Sequence, residues 1–426
     1  MTVLGEDSSN LAAIREAALW YEEETGEKVD VVGVGFEELQ ELANTDLSTQ
    51  TGQYDVILQY NFSLATYVQN NWVLGYDEFK ALSGMSEDEI HRVESDVYDN
   101  VWRELGHYWS PEGPQSPPRA VGLPFAANTM LLVYNKRHLA ALGDSVGPPT
   151  TWGELEETAD ALHDPAAGRY GMAMQGGDGG WLYYEWTNPV FSLGGGVMDK
   201  EWGWQGSRDT RLLLTGDSTV EATRRYFDLT EYTNPGEYLS SGVSEQGDAL
   251  RQERASMGIV WSDYVPSILY HDGREDHSDF IGFAPIPGPL SMIAGGLFYI
   301  NRASPEQERA ARFVAYLLRP DIQQRMAAEG LLPAYRSAYT PENLESIPYL
   351  DAVRQSVERG VYMNEAGPDA DIISAAITTS LQKAWSDYEF DMPVDQRDRI
   401  VRAALAEAEA VIQQERDRVF DEELEN

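Results

Sequence analysis

Metal binding, phosphate binding and covalent catalysis each need particular residues at particular spacings, and this chain offers few of them. Its six histidines are scattered. Only His271-Asp272-Gly273-Arg274-Glu275-Asp276-His277 gathers imidazoles and carboxylates in one run. That run lacks the helical or turn-loop spacing of metal ligands, so it reads as a solvated loop. Gly176-Gly177-Asp178-Gly179-Gly180 is glycine-rich but lacks the Lys-Ser/Thr of a phosphate loop. Neither G-x-S-x-G nor H-E-x-x-H occurs. There is no cysteine, which removes disulfides, thiolate zinc sites, iron–sulfur ligation and thiol nucleophiles. With 71 Asp and Glu, carboxylate pairs occur everywhere and diagnose no glycosidase. No cofactor or metal is expected. Two aromatic runs remain: Trp181-Leu182-Tyr183-Tyr184-Glu185-Trp186, directly after the glycine-rich stretch, and Trp261-Ser262-Asp263-Tyr264. Some of these rings must be core, because Trp and Tyr are strong packing residues. Trp202 and Trp204 read as surface or hairpin aromatics.

The elements that would position these runs alternate. Thr2–Leu4 is short, apolar and β-prone, and Gly5–Asn10 is a turn with helix-capping candidates. Helical spacing then runs from Leu11 to a stop at Thr25-Gly26. Val29–Val34 is a second strand, Phe36–Leu47 a second helix, and Tyr54–Leu58 a near-continuous apolar strand of the kind buried in parallel sheets. This alternation predicts an α/β layer. Strand-like Val121–Phe125 and Met130–Tyr134 flank Ala126–Thr129. A helix through Leu162 and strands at Tyr170–Met174, Ser256–Trp261, Phe280–Pro285 and Gly295–Ile300 follow. Pro285-Ile286-Pro287-Gly288-Pro289 is a stiff connector. Pro305–Leu318 and Pro320–Glu329 are helical. Asp395–Glu425 places Ile400, Ala404, Leu405, Ala408, Val411, Ile412 and Val419 on one face of a long amphipathic helix.

Length and charge set the bounds. A chain of 426 residues suggests two to three domains at ~150 residues each. With 42% hydrophobic residues, 11 Trp and 23 Tyr, it can bury a large core and is not disordered. The formal charge of −40 repels nucleic acid and anionic headgroups. Lysines are confined to Lys28, Lys80, Lys136, Lys200 and Lys383, so most positive charge is Arg. Abundant acid with scarce Lys suits molar salt, where screening lengths shrink to ~3 Å, and points to a salt-loving source. No stretch approaches the ~20 apolar residues of a membrane span, and no signal peptide is visible. The chain opens directly into strand-like residues, which fits a cytoplasmic protein or one whose leader was trimmed.

The order of the landmarks resembles the extracellular solute-binding proteins of ABC importers, in the maltose-binding-protein-like group. Tyr21-Glu22-Glu23-Glu24-Thr25-Gly26 with Lys28-Val29 matches the end of that family's first helix, and Tyr54-Asp55-Val56 its third strand. Gly122-Leu123-Pro124, then Leu131-Leu132-Val133-Tyr134-Asn135-Lys136, match "G-x-P … Y-N-K". Pro148-Pro149-Thr150-Thr151-Trp152-Gly153-Glu154-Leu155 matches "P-P-x-T-W-x-E-L". Gly295-Gly296 to Ile300, Ala310-Ala311-Arg312-Phe313, and Gln323 to Gly330 with Pro333 complete a run from residue 2 to about 337. The resemblance implies a two-lobe periplasmic-binding-protein-like α/β fold with a ligand cleft between the lobes and several chain crossings. By analogy the first lobe takes 1–125 and 286–332, and the second 126–285 and 333–426. It also implies a non-enzymatic, exported substrate-binding component that closes on a carbohydrate, a mono- or oligosaccharide, and delivers it to an ABC permease. The implied protein is monomeric, lipid-anchored at the cell surface, and free of nucleic-acid partners.

Sugar sites combine aromatic faces over C–H faces with carboxylates and amides on hydroxyls. The resemblance therefore nominates Glu6, Asp7 and Ser8 after the first strand, and Gln59, Tyr60 and Asn61 after the third. For Glu6-Asp7-Ser8 a helix-capping role competes equally. Asn128 stands where several sugar binders carry a carboxylate. In the second lobe Trp181, Tyr183, Tyr184 and Glu185 are candidates, with Trp181 and Glu185 foremost. Trp261, Asp263 and Tyr264 follow Ala255-Ser256-Met257-Gly258 as the family's post-strand aromatic contact. Gly295 and Gly296 would let backbone approach a ligand, against simple sheet packing. Two alternatives stay open: a binder of a polyol or glycerol-phosphate ester, which in the latter case would want Arg or helix N-termini, and a glycoside-processing enzyme. A chemotaxis receptor subunit would share the same site.

Overall fold

The computed structural model describes residues 1–109, 118–143, 145–178, 180–199, 210–271, 275–363, 367 and 369–425. Trp202, Trp204 and residues 272–274 of the histidine run lie outside them. The described residues form two compact α/β units: 1–109, 118–129 and 293–362 in the first, and 130–292 and 363–426 in the second. The fold is the expected mixed α/β, two-lobe one. Among the described residues no helix is long and apolar enough to cross a membrane.

The first unit is built on strands β1 (Thr2–Glu6), β2 (Asp30–Val34) and β3 (Val56–Tyr60), all parallel with β1 in the middle. Strand Gly296–Ile300 runs antiparallel beside β3, pairing Gly296 with Tyr60 and Leu297 with Gln59. Val3, Leu4, Val56, Ile57 and Leu297 are fully buried, as a sheet covered on both faces requires. Helix α1 (Ser9–Thr25) connects β1 to β2; Ser8 caps its start and left-handed Gly26 closes it, donating to Glu22 O at 2.8 Å. α1 packs through Tyr21, whose ring lies edge-on to Phe313 and Tyr316 at 5.2 and 5.1 Å. Helix α2 (Phe36–Thr49) leads to β3. Because the three parallel strands point the same way, Glu6, Val34 and Tyr60 end at one edge.

In the second unit residues 130–135 of the strand Asn128–Asn135 take Ile281–Pro285 on one side and Ala255–Trp261 on the other, both antiparallel. Tyr170–Ala173 adds parallel to Ala255–Trp261, so these two also end together. Helix Val243–Arg251 packs on this sheet, Asp217–Leu229 packs against Trp181–Ser192, and Ala370–Ser386 packs against Trp181–Ser192 and the C-terminal helix. The C-terminal helix Val394–Glu425 buries Val401, Ala404, Leu405, Ala408 and Ile412. Val411 departs from the expected face and is 43% exposed, because one residue of helical rotation carries it past the seam to solvent. The side chain of Val419 lies outside the described residues.

The unit boundaries differ from the expected ones, and local bonds explain why. Residues 126–129 stay with the first unit: Ala127 N–H donates to Leu332 O at 3.0 Å, and Thr129 and Asn128 pair with Ile293 and Ala294. Residues 286–292 stay with the second: Gly288 N–H donates to Thr150 O at 2.9 Å. Residues 333–362, expected in the second, belong to the first. Tyr335 bridges Val97, Arg336 donates to Val97 O, and Asn100 Nδ2 donates to Val357 O and Gly360 O, both at 2.8 Å.

Candidate functional site

In the first unit the shared edge of β1, β2 and β3 carries a carboxylate beside aromatic rings. Tyr60 donates its hydroxyl to the Glu6 carboxylate. Burial pushes the Glu6 carboxyl above its ordinary 4.5, and the Tyr60 bond only partly opposes that. Tyr60 stacks on Phe62 at 5.9 Å and 18°, and Phe36 meets both rings at 5.8 and 6.1 Å. Phe36 is 42% exposed. A small recess beside them is lined by Glu6, Ser8, Asn10, Tyr60 and Phe125. Neither Phe36 nor Phe62 was nominated from sequence, although Phe36 obeys the rule used for the others, since it follows a parallel strand.

The other nominees in this unit are placed as follows. Asp7 is exposed and ion-paired with Arg15 at 2.8 Å, and Ser8 accepts the Leu11 N–H as a helix cap. Asn128 is buried, accepting from Asn10 Nδ2 at 3.3 Å, while Asn10 Oδ1 accepts the Leu332 N–H at 2.9 Å. Gln59 is buried and turns back, its Oε1 accepting the Tyr60 N–H at 2.9 Å. Asn61 is also buried, and its N–H donates to Gly295 O at 3.2 Å. Gly295 and Gly296 follow the packing reading. A Cβ on Gly296 would stand 2.0 Å from the Phe125 ring, and one on Gly295 2.4 Å from Ala126 O. Both positions are therefore fixed by neighbouring protein atoms.

In the second unit four rings nominated from sequence come together. Trp261 ends its strand, and Ser262–Tyr264 turns immediately after it. Trp181 opens the helix Trp181–Ser192 after Gly180, which has φ +87° and so suits glycine. Trp181 meets Tyr264 edge-on at 6.3 Å and 85°, and Tyr184 meets Trp261 at 6.0 Å and 77°. Trp181, Tyr184 and Tyr264 are half-buried, as is Asp263 in the same turn, and Trp261 is 8% exposed. Helix Ala370–Ser386, not foreseen from sequence, adds polar groups: Ser374 Oγ lies beside Gly180, and Asp371 is close enough to raise the Tyr184 hydroxyl, second to burial. Gln382 on that helix donates to Gly176 O and Asp178 Oδ1 at 2.9 and 3.1 Å, which fixes the glycine-rich stretch.

Tyr183 and Glu185 are corrections. Tyr183 is buried against Trp186 and Tyr184, so it packs as core. Glu185 is 1% exposed. Its Oε2 accepts the Gln175 N–H at 2.9 Å and the Tyr226 hydroxyl at 3.1 Å, and its Oε1 accepts Gln246 Nε2 at 3.3 Å. Burial outweighs these bonds and pushes its carboxyl up to about 8. Among the described residues no group of three or more His, Asp or Glu is placed to hold a metal.

Chemically, the second-unit cluster offers aromatic surface beside the Asp263 and Asp371 carboxylates and the Ser374 hydroxyl. The first-unit edge offers aromatic surface beside Glu6. Aromatic faces beside carboxylates and hydroxyls are the chemistry that matches the C–H faces and hydroxyls of a compact solute.

The model of the bacterial extracellular solute-binding protein family matches residues 5–324. A probable amino-acid ABC transporter periplasmic-binding protein of Sinorhizobium fredii is 24% identical over 346 residues, covering 80% of this chain and 74% of its own. The mannitol-binding protein of Pseudomonas aeruginosa is 26% identical over 338 residues, covering 75% and 70%. A solved ABC transporter solute-binding protein of Agrobacterium radiobacter K84, in complex with ribitol, has a TM-score of 0.77 at 20% identity, covering 97% and 98%.

Proposed function

The chain belongs to the bacterial extracellular solute-binding protein family, and on that premise we propose that its solute is a sugar or a sugar alcohol. The observation that carries this reading is the cluster of Trp181, Tyr184, Trp261 and Tyr264 at a strand end, with carboxylates beside it. Rings of this kind cover C–H faces, and the carboxylates accept hydroxyls. The mannitol and ribitol named for two similar proteins support the same class. The proposal includes export, delivery to an ABC permease, lobe closure on the solute, a cell-surface lipid tether, and a monomer without enzymatic turnover. A glycerol-phosphate ester fits less well. It calls for arginine, and Arg15, near the Glu6 edge, is already paired with Asp7.

Calorimetric titration with a panel of sugars, sugar alcohols, amino acids and glycerol phosphates tests the assignment. The expected result is saturable binding of a sugar or polyol. Trp261→Ala should then weaken it by more than about 1 kcal/mol, the order a stacking aromatic supplies. Binding of amino acids alone would transfer the function to the class named for the Sinorhizobium relative. Release of chromophore from aryl glycosides would replace the binding reading with an enzymatic one.

A further inference from the structure

Glu185 is a buried carboxyl that no ligand contact explains, and it sits one residue past Tyr184 and one turn past Trp181 on the same helix. Its bonds reach three other places: Gln175 after the strand Tyr170–Ala173, Tyr226 on Asp217–Leu229, and Gln246 on Val243–Arg251. Those partners are joined among themselves. Gln175 Nε2 donates to Gln246 Oε1 at 2.9 Å and to Ile259 O at 3.2 Å, in the strand that ends at Trp261. Gln246 Nε2 also donates to Ala173 O at 2.8 Å, and the Tyr238 hydroxyl donates to that of Tyr226 at 3.4 Å. One network therefore holds the start of the helix bearing Trp181 and Tyr184, and the strand bearing Trp261.

We propose that Glu185 is the positioning residue of this aromatic cluster, and that the proton it carries couples solute affinity to pH. The proposal rests on the reading of the cluster as a solute-binding face. The titratable groups facing Glu185 are Tyr226 and Tyr238, and the remaining partners are the neutral amides of Gln175 and Gln246. None of these brings a positive charge, so ionisation leaves a buried carboxylate balanced only by neutral hydrogen-bond donors. The carboxyl stands at about 8. Ionisation near that pH would draw water or shift the network, and the helix start and strand end would move with it.

The test labels the whole protein with 5-fluorotryptophan and follows its fluorine resonances without solute from about pH 6 to about pH 9, a window bracketing the shifted group. Trp181→Phe and Trp261→Phe assign the two signals. The expected result is that both signals titrate together near the Glu185 midpoint in the wild type and stay fixed in Glu185→Gln. Signals that do not titrate, or that titrate equally in Glu185→Gln, overturn the proposal. Tyr226→Phe provides a second variant should Glu185→Gln fail to fold. It removes a bond that favours the ionised form, so the midpoint should rise; an unchanged midpoint also overturns the proposal. Titration of maltose and ribitol at both ends of the window completes the test, with affinity for the probe that binds expected to fall roughly tenfold at the alkaline end. Titrating fluorine signals with no binding of either sugar or polyol at any pH would uphold the positioning role and discard the functional reading.

Discussion

Glu185 keeps a proton that the unfolded chain releases. Its carboxyl stands at about 8 when folded, against an ordinary 4.5. A raised value means that its stabilising contribution is fully present below about 4.5 and is lost as pH rises through about 8. Glu185→Gln should therefore stand close to wild type in acid and gain on it as the pH rises. The difference in urea midpoint at about pH 9 should correspond to at least ~1 kcal/mol, the energy of less than one pKa unit. A constant difference across pH would contradict this protonation. Residue roles were unevenly legible in the sequence. Trp181, Tyr184, Trp261 and Tyr264 follow a glycine-rich stretch or a strand, and the structure brings their rings together. Glu185 and Tyr183 were not separable from them, because residues 182–190 are apolar or buried nearly all round and no amphipathic stripe sets the rotation of the helix. Gly295 and Gly296 were ambiguous because a ligand and a Phe125 ring exclude a Cβ equally well.

The helix that carries the aromatic cluster contains Pro189, which removes the N–H that would reach Glu185 O. The Asn188 side chain compensates, donating to Glu185 O at 3.3 Å and to Tyr184 O at 2.9 Å. Trp186 Nε1 anchors the same helix to Thr223 Oγ1 at 2.9 Å. Asn188→Ala should cost about 1–2 kcal/mol in chemical unfolding, the price of a lost buried bond. That cost should shrink in a Pro189→Ala background, where a backbone N–H is restored. Additive effects in this double-mutant cycle would show that Asn188 does not substitute for the missing donor. Elements with uniform apolar character were read well from sequence, and the strands at Val56–Tyr60 and Ala255–Trp261 are buried as such runs require. Residues 333–362 were assigned to the other lobe, since their short helices are tied to partners such as Val97 and Asn100, some 240 or more positions away. Local periodicity carries no trace of pairings that distant.

At the scale of the whole molecule the net charge of −40 dominates. Arginine ion pairs are numerous and mostly exposed, among them Arg302–Glu78 at 2.7 Å, Arg309–Glu27 at 3.0 Å and Arg319–Glu24 at 2.7 Å. Such pairs contribute about 0–1 kcal/mol each. Their contact distances lie inside even a ~3 Å screening length, whereas repulsion among the excess carboxylates acts over the ~10 Å length of dilute buffer. Added salt therefore removes more repulsion than attraction. The melting temperature should rise between about 0.1 M and several molar potassium chloride, where the Debye length shortens most usefully. A falling melting temperature would mean that the ion pairs outweigh the net charge, against the salt-loving reading. The central claim, capture of a sugar or sugar alcohol, is tested most directly by a thermal-shift screen in molar salt against sugars, polyols, amino acids and glycerol phosphates. A true ligand at ~100 times its dissociation constant adds ~2.7 kcal/mol of stability. A clear upward shift with one sugar or polyol class, reduced in Trp261→Ala, is the predicted result; shifts confined to amino acids or phosphate esters would contradict it.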